Sequence, residues 1–359
     1  MANTFSIVFR LDAYTEIGTG HFMRCFTLAQ ELSTRSASIH FIARYLPEYF
    51  EEKLKENGFR LTRLPSENKV YNNELAHSSW LGVTQEIDAD QTLSVLSQHV
   101  QLIVVDHYAI SALWESKLRA KAEKIMVIDD LADRYHDCDI LLDQNLFKDA
   151  LERYRTHVPF SCRTLLGPAY ALLRNEFFIY RQYVSVRSAP VKRLLVLLGG
   201  VDQYNLTSKA LLAVKNLNRS IAVDVVIGNQ HPTVDIISEQ CTANNYALHI
   251  QPDNVAALMA SADISIGSAG STSWERCALG LPSICFTQAE NQIPIAENLE
   301  KEGAIINGGD GVTISVSGIQ HILEDLLNDP KKISSLSVNA MKLVDAIGVK
   351  KVADVIFND

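Results

Sequence analysis

The sequence predicts an α/β protein of two doubly wound domains, and three observations support this prediction. The chain has 359 residues, which at ~100–200 residues per domain corresponds to two domains. Hydrophobic residues make up 47% of the chain, enough for each half to bury a core. In both halves, short β-branched runs alternate with helical patterns, as is typical of parallel sheets covered by helices.

The first half alternates between strand and helix patterns up to about residue 172. The predicted strands are 5–10, 39–43, 102–106, 125–128 and 140–142. An amphipathic helix is indicated by apolar residues at i, i+3, i+4 and i+7, namely Cys25, Leu28, Ala29 and Leu32. Further helices are predicted over 48–56, 85–98 and 111–123.

The second half repeats this alternation after a predicted linker at 185–190, which divides the chain into domains 1–187 and 191–359. Strands are predicted at 193–198, 222–227, 247–250, 263–266 and 283–286. Helices are predicted at 206–217, 254–261, 273–278 and 294–302, with three more from residue 317 onward. We expect two Rossmann-like domains facing across a cleft, with ligands at the carboxyl ends of the strands and the last helix packing back on the first domain.

Charge and cysteine content narrow the functional class. Lys and Arg number 33 against 42 Asp and Glu, a net charge of −9. Because there is no basic tract, general nucleic-acid binding is not expected. No apolar run approaches the ~18 residues of a spanning helix, and the first residues lack signal-peptide features. The six cysteines form no C-x-x-C pair, which favours reduced thiols. We expect a cytoplasmic monomer that binds neither nucleic acid nor membrane.

The most informative segment, GTGHFMR at 18–24, lies between the first strand and the first helix. Gly18 and Gly20 permit a sharp turn and a close approach to a ligand. Met23 occupies the place of a third glycine, so this is not the dinucleotide fingerprint, and no Walker lysine follows. His21 stands at the helix start, where the positive helix end favours a neutral imidazole available as a base. The alternative is a histidine that merely caps a helix.

A second segment, GSTSWE at 270–275, follows another predicted strand. The hydroxyls of Ser271 and Thr272 and the free N–H groups beside Gly270 suit a diphosphate. Glu275 lies about one turn inside the helix, where its carboxylate can accept from both hydroxyls of a ribose. An ordinary helix cap is the alternative interpretation.

A third segment begins with Gly199 and Gly200 at a strand end, followed by Asp202 and Asn205. Two glycines permit close backbone approach to a ligand, and Asn205 can cap the next helix. Taken alone, this pattern is more often a turn than a binding site.

Three shorter segments complete the candidates. Asn291 and Gln292 offer amides that suit sugar hydroxyls or acetamido groups, or form a surface turn. The DHY triplet at 106–108 ends a strand, where a ligand role and a cap are equally supported. The pair at 129–130 is interpreted as a cap or turn, because adjacent side chains point apart. No metal-binding spacing is present, so no metal is predicted.

Together these segments resemble the UDP-2,4-diacetamido-2,4,6-trideoxy-β-L-altropyranose hydrolases (PseG) of pseudaminic acid biosynthesis, relatives of MurG-type GT-B glycosyltransferases. The resemblance covers nearly the whole chain. Its motifs are RLD at 10–12, IGTGHFMR at 17–24, VDHY at 105–108, LGGVD at 198–202 with Asn205, GSTSWERCALGLP at 270–282, NQ at 291–292 and MKLVDAIG at 341–348. The GSTSWE segment at 270–275 and NQ at 291–292 are shared with UDP-sugar glycosyltransferases, whereas R-x-D with G-x-G-H-x-x-R is the specific part.

The resemblance implies a GT-B-like arrangement with UDP on the second domain. It implies hydrolysis by water at the anomeric carbon, with inversion and release of UDP, in the synthesis of a flagellin or surface-glycan precursor. His21 is then the general base, with Tyr108 and Asn291 in support. Our own hypothesis adds Asp12, which orients His21 or the water. The predicted substrate-binding residues are Arg10, Gly18, Gly20, Arg24, Gly199, Gly200, Asp202, Asn205, Ile250, Gly270, Ser271, Thr272, Glu275 and Gln292.

The expected partner is a small-molecule UDP-sugar, and no cofactor is expected. Because UDP is a weakly basic leaving group, one base suffices and a general acid is dispensable. Three alternatives stay open at this point: a GT-B glycosyltransferase that uses a UDP-sugar, a non-catalytic nucleotide-sugar-binding protein, and a UDP-sugar epimerase. Glycine backbones and helix N-termini allow an acidic chain to bind a diphosphate locally.

Overall fold

The structure, a computed structural model, describes residues 5–14, 17–66, 74–200 and 202–358. The chain divides into two compact units. The first comprises Met1–Asn145, Asp149–Leu172 and Gly348–Asp359, and the second comprises Leu146–Lys148 and Leu173–Ile347. Each unit contains one parallel sheet flanked by helices, which confirms the predicted α/β class of two doubly wound halves. No helix among the described residues is long and apolar enough to span a membrane.

The first unit is built on a seven-stranded parallel sheet with strand order β3-β2-β1-β4-β5-β6-β7. In chain order its elements are β1 Ser6–Leu11, α1 Gly20–Thr34, β2 Ser38–Ala43, α2 Glu48–Glu56, β3 Arg60–Arg63, α3 Gln85–Val95, β4 Val100–Asp106, α4 Ala112–Leu118, β5 Ala122–Ile128, β6 Ile140–Asp143, α5 Ala150–Tyr154 and β7 Arg163–Leu166. The central strands are apolar on both sides because a hydrophobic core lies on each face of the sheet. Strand order reverses between β1 and β4, which places a topological switch point at their carboxyl ends.

The second unit is built on a six-stranded parallel sheet with strand order β10-β9-β8-β11-β12-β13. Its elements are α6 Asn175–Arg181, β8 Arg193–Leu197, α7 Leu206–Asn216, β9 Ala222–Ile227, α8 Val234–Asn244, β10 Ala247–Ile250, α9 Val255–Ser261, β11 Ile264–Ser268, α10 Thr272–Ala278, β12 Ser283–Thr287, α11 Ile293–Lys301, β13 Ile306–Asp310, α12 Val316–Leu327 and α13 Pro330–Leu343. The switch point of this sheet lies between β8 and β11.

The C-terminal helix α14, Gly348–Asn358, belongs to the first unit and packs against α1. Val352 and Ala353 are fully buried in the core beneath it. A side chain at Gly348 would meet the backbone nitrogen of Ala171 at 2.6 Å, so only glycine lets this helix begin so close to the preceding chain.

Several predicted elements differ from the observed ones. The predicted helix 111–123 is wrong beyond Leu118, because the chain turns and residues from Ala122 onward pair as β5. Strands β3, β7 and β13 and helices α5, α6 and α8 were not predicted. β3 and β7 are edge strands that carry arginines, and β13 contains two glycines, so none of them shows a long apolar run. The predicted linker 185–190 lies in the second unit, where Arg187 is buried and donates to the carbonyl of Leu279 at 2.6 Å.

Candidate active site

The switch point of the first sheet carries a histidine–carboxylate pair. His21 is the second residue of α1, after a turn in which Gly18 has a φ of +80°. Asp106 is the last residue of β4 and lies in register with Leu11 of β1. The pairing of β1 with β4 therefore brings these two side chains together, and His21 Nδ1 lies 2.5 Å from Asp106 Oδ1.

Arg24 fixes the carboxylate of this pair. Its Nε donates to Asp106 Oδ2 and its Nη2 to Oδ1, both at 2.6 Å. Burial alone would raise the pKa of the Asp106 carboxyl, but the charges and hydrogen bonds of Arg24 and His21 outweigh burial and hold that pKa well below its usual value. Asp106 is therefore ionised at neutral pH, and its carboxylate accepts a hydrogen bond from the protonated Nδ1 of His21. In this tautomer Nε2 carries the free lone pair, and no described residue forms a hydrogen bond with Nε2.

Tyr108 forms one side of the histidine site. Its ring meets the His21 ring edge-on, with 4.7 Å between the ring centroids. Burial, followed by the charge of Asp130, raises the pKa of the Tyr108 hydroxyl well above its usual value, so the hydroxyl keeps its proton at neutral pH. Asp130 also lies 3.4 Å from Arg24 and accepts from Asn145 Nδ2 at 3.3 Å. The one sequence feature that indicates a site role for Asp130 is its position just after the predicted strand 125–128.

Asp12 and Arg10 have a different role from the predicted one. Asp12 Oδ1 accepts from the backbone nitrogen atoms of Arg44 at 2.6 Å and Tyr45 at 2.9 Å, and Oδ2 accepts from Arg10 at 3.0 Å. Arg10 is fully buried, and it also donates to the carboxylate of Asp88 at 3.0 and 2.6 Å. Asp106, rather than Asp12, contacts His21 among the described residues. Asp12 and Arg10 therefore join the end of β1 to the segment after β2 and to helix α3, and Arg10 has no exposed surface.

The switch point of the second sheet is lined by glycines. Gly199, with a φ of +99°, and Gly200 follow β8. The carbonyl of Gly200 accepts from the backbone nitrogen of Gly228 at 3.0 Å. Gly270 follows β11, and a Cβ placed on it would lie 3.7 Å from the side-chain nitrogen of Gln292. The structure therefore brings Gly270 and Gln292 together, as the prediction of a shared site requires.

Helix α10 presents the other predicted residues of this segment. Ser271 is exposed at the N-cap position and forms no side-chain cap bond, whereas Thr272 Oγ1 accepts from Arg276 Nη1 at 3.1 Å. Glu275 lies 3.5 Å from Arg174 Nη2, an ion pair that sequence reasoning missed because Arg174 is about a hundred residues earlier. Burial raises the pKa of the Glu275 carboxyl, and Arg174 opposes that shift.

Asp202 and Asn205 hold helix α7 in place. Asp202 is buried, and it accepts from the backbone nitrogen of Leu206 at 3.0 Å and of Thr207 at 2.7 Å. Asn205 accepts from Ser208 N at 3.3 Å, which confirms the predicted cap. Each carboxylate oxygen of Asp202 therefore accepts from a backbone nitrogen at the start of α7, which gives this residue a capping role.

Two predicted positions lie apart from these contacts. Asn291 is exposed in the short 3-10 helix Glu290–Gln292. Ile250 is 48% exposed at the end of β10, an edge strand of the sheet. Val201, in the LGGVD motif, lies outside the described residues.

Within the described ranges, no group of three or more His, Cys, Asp or Glu side chains is arranged to hold a metal ion.

Comparison with known proteins gives three sequence relatives. The chain is 28% identical over 301 residues to the UDP-2,4-diacetamido-2,4,6-trideoxy-beta-L-altropyranose hydrolase of Campylobacter jejuni, covering 83% of this chain and 97% of the relative. It is 23% identical to the spore coat polysaccharide biosynthesis protein SpsG of Bacillus subtilis, covering 96% of each. An uncharacterized protein of Methanocaldococcus jannaschii is 25% identical over 78% of this chain, which spans only 55% of that protein's length. No protein-family model matches the chain.

Solved structures share the fold at low sequence identity. MurG of Acinetobacter baumannii matches with a TM-score of 0.66 and 13% identity, covering 99% of this chain and all of MurG. UGT2 of Phytolacca americana, solved with UDP-2-fluoro-glucose and pterostilbene, matches with a TM-score of 0.70 and 12% identity over the full length of both. The chain therefore has the fold of the GT-B glycosyltransferases and is similar in sequence to a UDP-diacetamido-trideoxy-sugar hydrolase.

Proposed function

We propose that this protein is a nucleotide-sugar hydrolase. Its substrate is UDP-2,4-diacetamido-2,4,6-trideoxy-β-L-altrose, and its products are UDP and the free sugar, a step of pseudaminic acid biosynthesis. The observation that carries the proposal is the His21–Asp106 pair, whose nitrogen atom Nε2 is left available as a base. The similarity to the Campylobacter jejuni hydrolase supports the choice of substrate.

In the proposed reaction, His21 activates water. Nε2 accepts a proton from the water molecule as its oxygen attacks the anomeric carbon. The imidazolium that forms lies 2.5 Å from the ionised Asp106, whose charge stabilises it. General-base catalysis of this kind contributes a rate factor of about 10²–10⁴.

The UDP leaving group does not require a general acid. UDP departs as a weakly basic diphosphate, so the anomeric C–O bond breaks without prior protonation. In the second unit, the backbone N–H groups around Gly199, Gly200 and Gly270 are the proposed donors to the phosphate oxygens, with Ser271 and Thr272 hydroxyls beside them. Glu275 is the proposed acceptor for the ribose hydroxyls. Direct displacement by water inverts the configuration at the anomeric carbon.

A glycosyltransferase is the second candidate, and the fold favours it, because the structural neighbours described above are glycosyltransferases. In that case a sugar or lipid hydroxyl replaces water, and His21 removes its proton in the same way. The two candidates differ in one requirement: a transferase releases UDP efficiently only when an acceptor is present.

The proposal is tested by incubating the protein with the UDP-sugar alone and measuring released UDP. We expect steady release without an acceptor, and a loss of about 10²-fold or more in kcat for His21→Ala. His99→Ala, which removes an exposed histidine of the same unit, is the matched control and keeps full activity. Full activity in His21→Ala, or release only after an acceptor is added, would contradict the proposal.

A further inference from the structure

An aromatic wall lies beside His21, formed by His77, Trp80 and Tyr108. The rings of Trp80 and Tyr108 are stacked, with 5.7 Å between centroids and 29° between planes. His77 contacts both of them, at 4.5 Å from Trp80 and 5.3 Å from Tyr108. Because Tyr108 also contacts the His21 ring at 4.7 Å, the wall is continuous with the histidine site.

Trp80 differs from the other two tryptophans of the chain. Trp114 and Trp274 are fully buried, whereas Trp80 is partly exposed on the short 3-10 helix Ser78–Trp80. Tyr14 donates to the backbone carbonyl of Trp80 at 3.3 Å, which fixes the position of this helix. A large ring held in place and partly open to solvent offers an apolar surface to a ligand.

His77 adds a polar group to the wall. Its Nδ1 is buried and forms no hydrogen bond within the part of the chain that the structure describes. Burial lowers the pKa of His77, so its imidazole is neutral at pH 7. A neutral ring nitrogen without a partner can form one hydrogen bond with a ligand, and satisfying it is favourable because an unpaired buried polar atom is costly.

We infer that the aromatic wall is the subsite for the sugar ring, with the partly exposed Trp80 against an apolar face of a deoxy, acetamido-bearing sugar, Tyr108 packed against Trp80 as its support, and His77 hydrogen-bonded to one of the sugar's amides. This inference rests on the proposed function, because it deepens the substrate choice at the same site. A 6-deoxy sugar with two acetamido groups carries methyl groups, which suit the partly exposed ring of Trp80, and amide groups, one of which can pair with His77 Nδ1.

The first test uses Trp80 as its own reporter. Trp274 lies in the segment proposed to bind UDP, so the free sugar, without nucleotide, is the ligand whose fluorescence change reports on Trp80. The expected result is a saturable change with the free sugar, and the same titration of Trp80→Phe should show none.

The second test is kinetic. Trp80→Ala should raise KM for the UDP-sugar by about 10-fold, with kcat within about 3-fold of the wild type. The inhibition constant of UDP should not change, because the wall contacts only the sugar. Trp80→Phe should restore most of the lost affinity, which a purely structural defect would not predict. Phe160→Ala, which removes a fully exposed ring of the same unit, is the matched control.

Failure of the subsite and failure of the proposed function give different results. An active wild type whose Trp80→Ala variant keeps its KM, or whose fluorescence does not respond to sugar, overturns the subsite. A wild type that shows the fluorescence response but releases no UDP supports the subsite and overturns hydrolysis.

Discussion

Replacing Asp106 by Asn removes the negative charge beside the proposed base His21 and keeps a side chain of nearly the same shape. The carboxylate accepts three short contacts, from His21 Nδ1 at 2.5 Å and from two nitrogens of Arg24 at 2.6 Å each. The amide of Asn has one acceptor oxygen in place of two. Its N–H₂ group takes the place either of Oδ1, which faces both His21 Nδ1 and Arg24 Nη2, or of Oδ2, which faces Arg24 Nε, so a contact with Arg24 is lost in both orientations.

The effect on activity follows from the tautomer of His21. An amide N–H₂ that faces His21 donates to Nδ1 and moves the imidazole proton to Nε2, which then cannot accept a proton from water. Without the negative charge, the imidazolium that forms during the reaction is also no longer stabilised. We expect Asp106→Asn to lower kcat by about 10²–10⁴-fold with little change in KM, since the general-base contribution is of that size.

The effect on stability follows from Arg24, whose side chain is only 10% exposed and keeps one weaker ionic contact, with Asp130 at 3.4 Å. Breaking one partner of a buried ion pair costs about 3–5 kcal/mol. Because Asp130 retains part of the interaction, we expect a loss near 3 kcal/mol in the free energy of unfolding, measured by urea denaturation.

Glu115→Gln is the matched control for this prediction. Glu115 is a buried carboxylate of the same unit, paired with His136 at 2.8 Å, and neither residue belongs to the proposed site. This control should lose stability but keep its kcat when assayed where it is folded. A folded Asp106→Asn enzyme with kcat within a few-fold of the wild type would refute the assignment of His21 as a base oriented by Asp106.

Two further predictions concern a buried acid and the nucleotide. Burial, followed by the nearby charge of Asp130, raises the pKa of Asp143 from 3.8 to about 7. Between about pH 4 and about pH 7 the Asp143 carboxyl stays protonated in the folded protein but is ionised in the unfolded chain. The free energy of unfolding therefore falls as the pH rises through this range. Urea unfolding across that range should show a loss of up to about 4 kcal/mol that is absent from Asp143→Asn. Glu275→Gln should reduce the preference for UDP over 2′-deoxy-UDP from about 10-fold to nearly none in a binding titration, because one ribose contact is lost.

Each of these two predictions has a defined contrary result. Equal pH dependence of stability in the wild type and Asp143→Asn would show that Asp143 ionises normally in the folded protein. For the nucleotide, Glu176→Gln is the control, since Glu176 pairs with the same Arg174 at 2.9 Å. If Glu275→Gln keeps the preference for UDP, Glu275 does not bind the ribose.

The sequence predicted the parts of the site that lie in single short segments. Gly18 precedes α1, whose first two residues are Gly20 and His21, and Gly199, Gly200 and Gly270 follow β8 and β11. Turns of this kind are visible in sequence because glycine and a following helix are local signals. Strand order alone then brings each set to a switch point of its sheet.

The partners of these residues could not be assigned from sequence. His21 and Asp106 are 85 positions apart, and Asp12 was preferred only because it lies nearer along the chain. The structure shows that Asp12 is occupied by backbone nitrogen atoms. Arg24 was predicted to bind substrate, but its Nε and Nη2 donors are directed to Asp106. Trp80 was missed because the segment around it has no periodicity.

The most direct test of the central claim is proton NMR of the protein with UDP-2,4-diacetamido-2,4,6-trideoxy-β-L-altrose and no acceptor. The anomeric signal reports the bond that breaks and the configuration of the product before it equilibrates. The account predicts loss of the UDP-sugar signal, appearance of free sugar first in the inverted configuration, and no such change with His21→Ala. An unchanged UDP-sugar signal with the wild-type protein, or a first product of retained configuration, would contradict it.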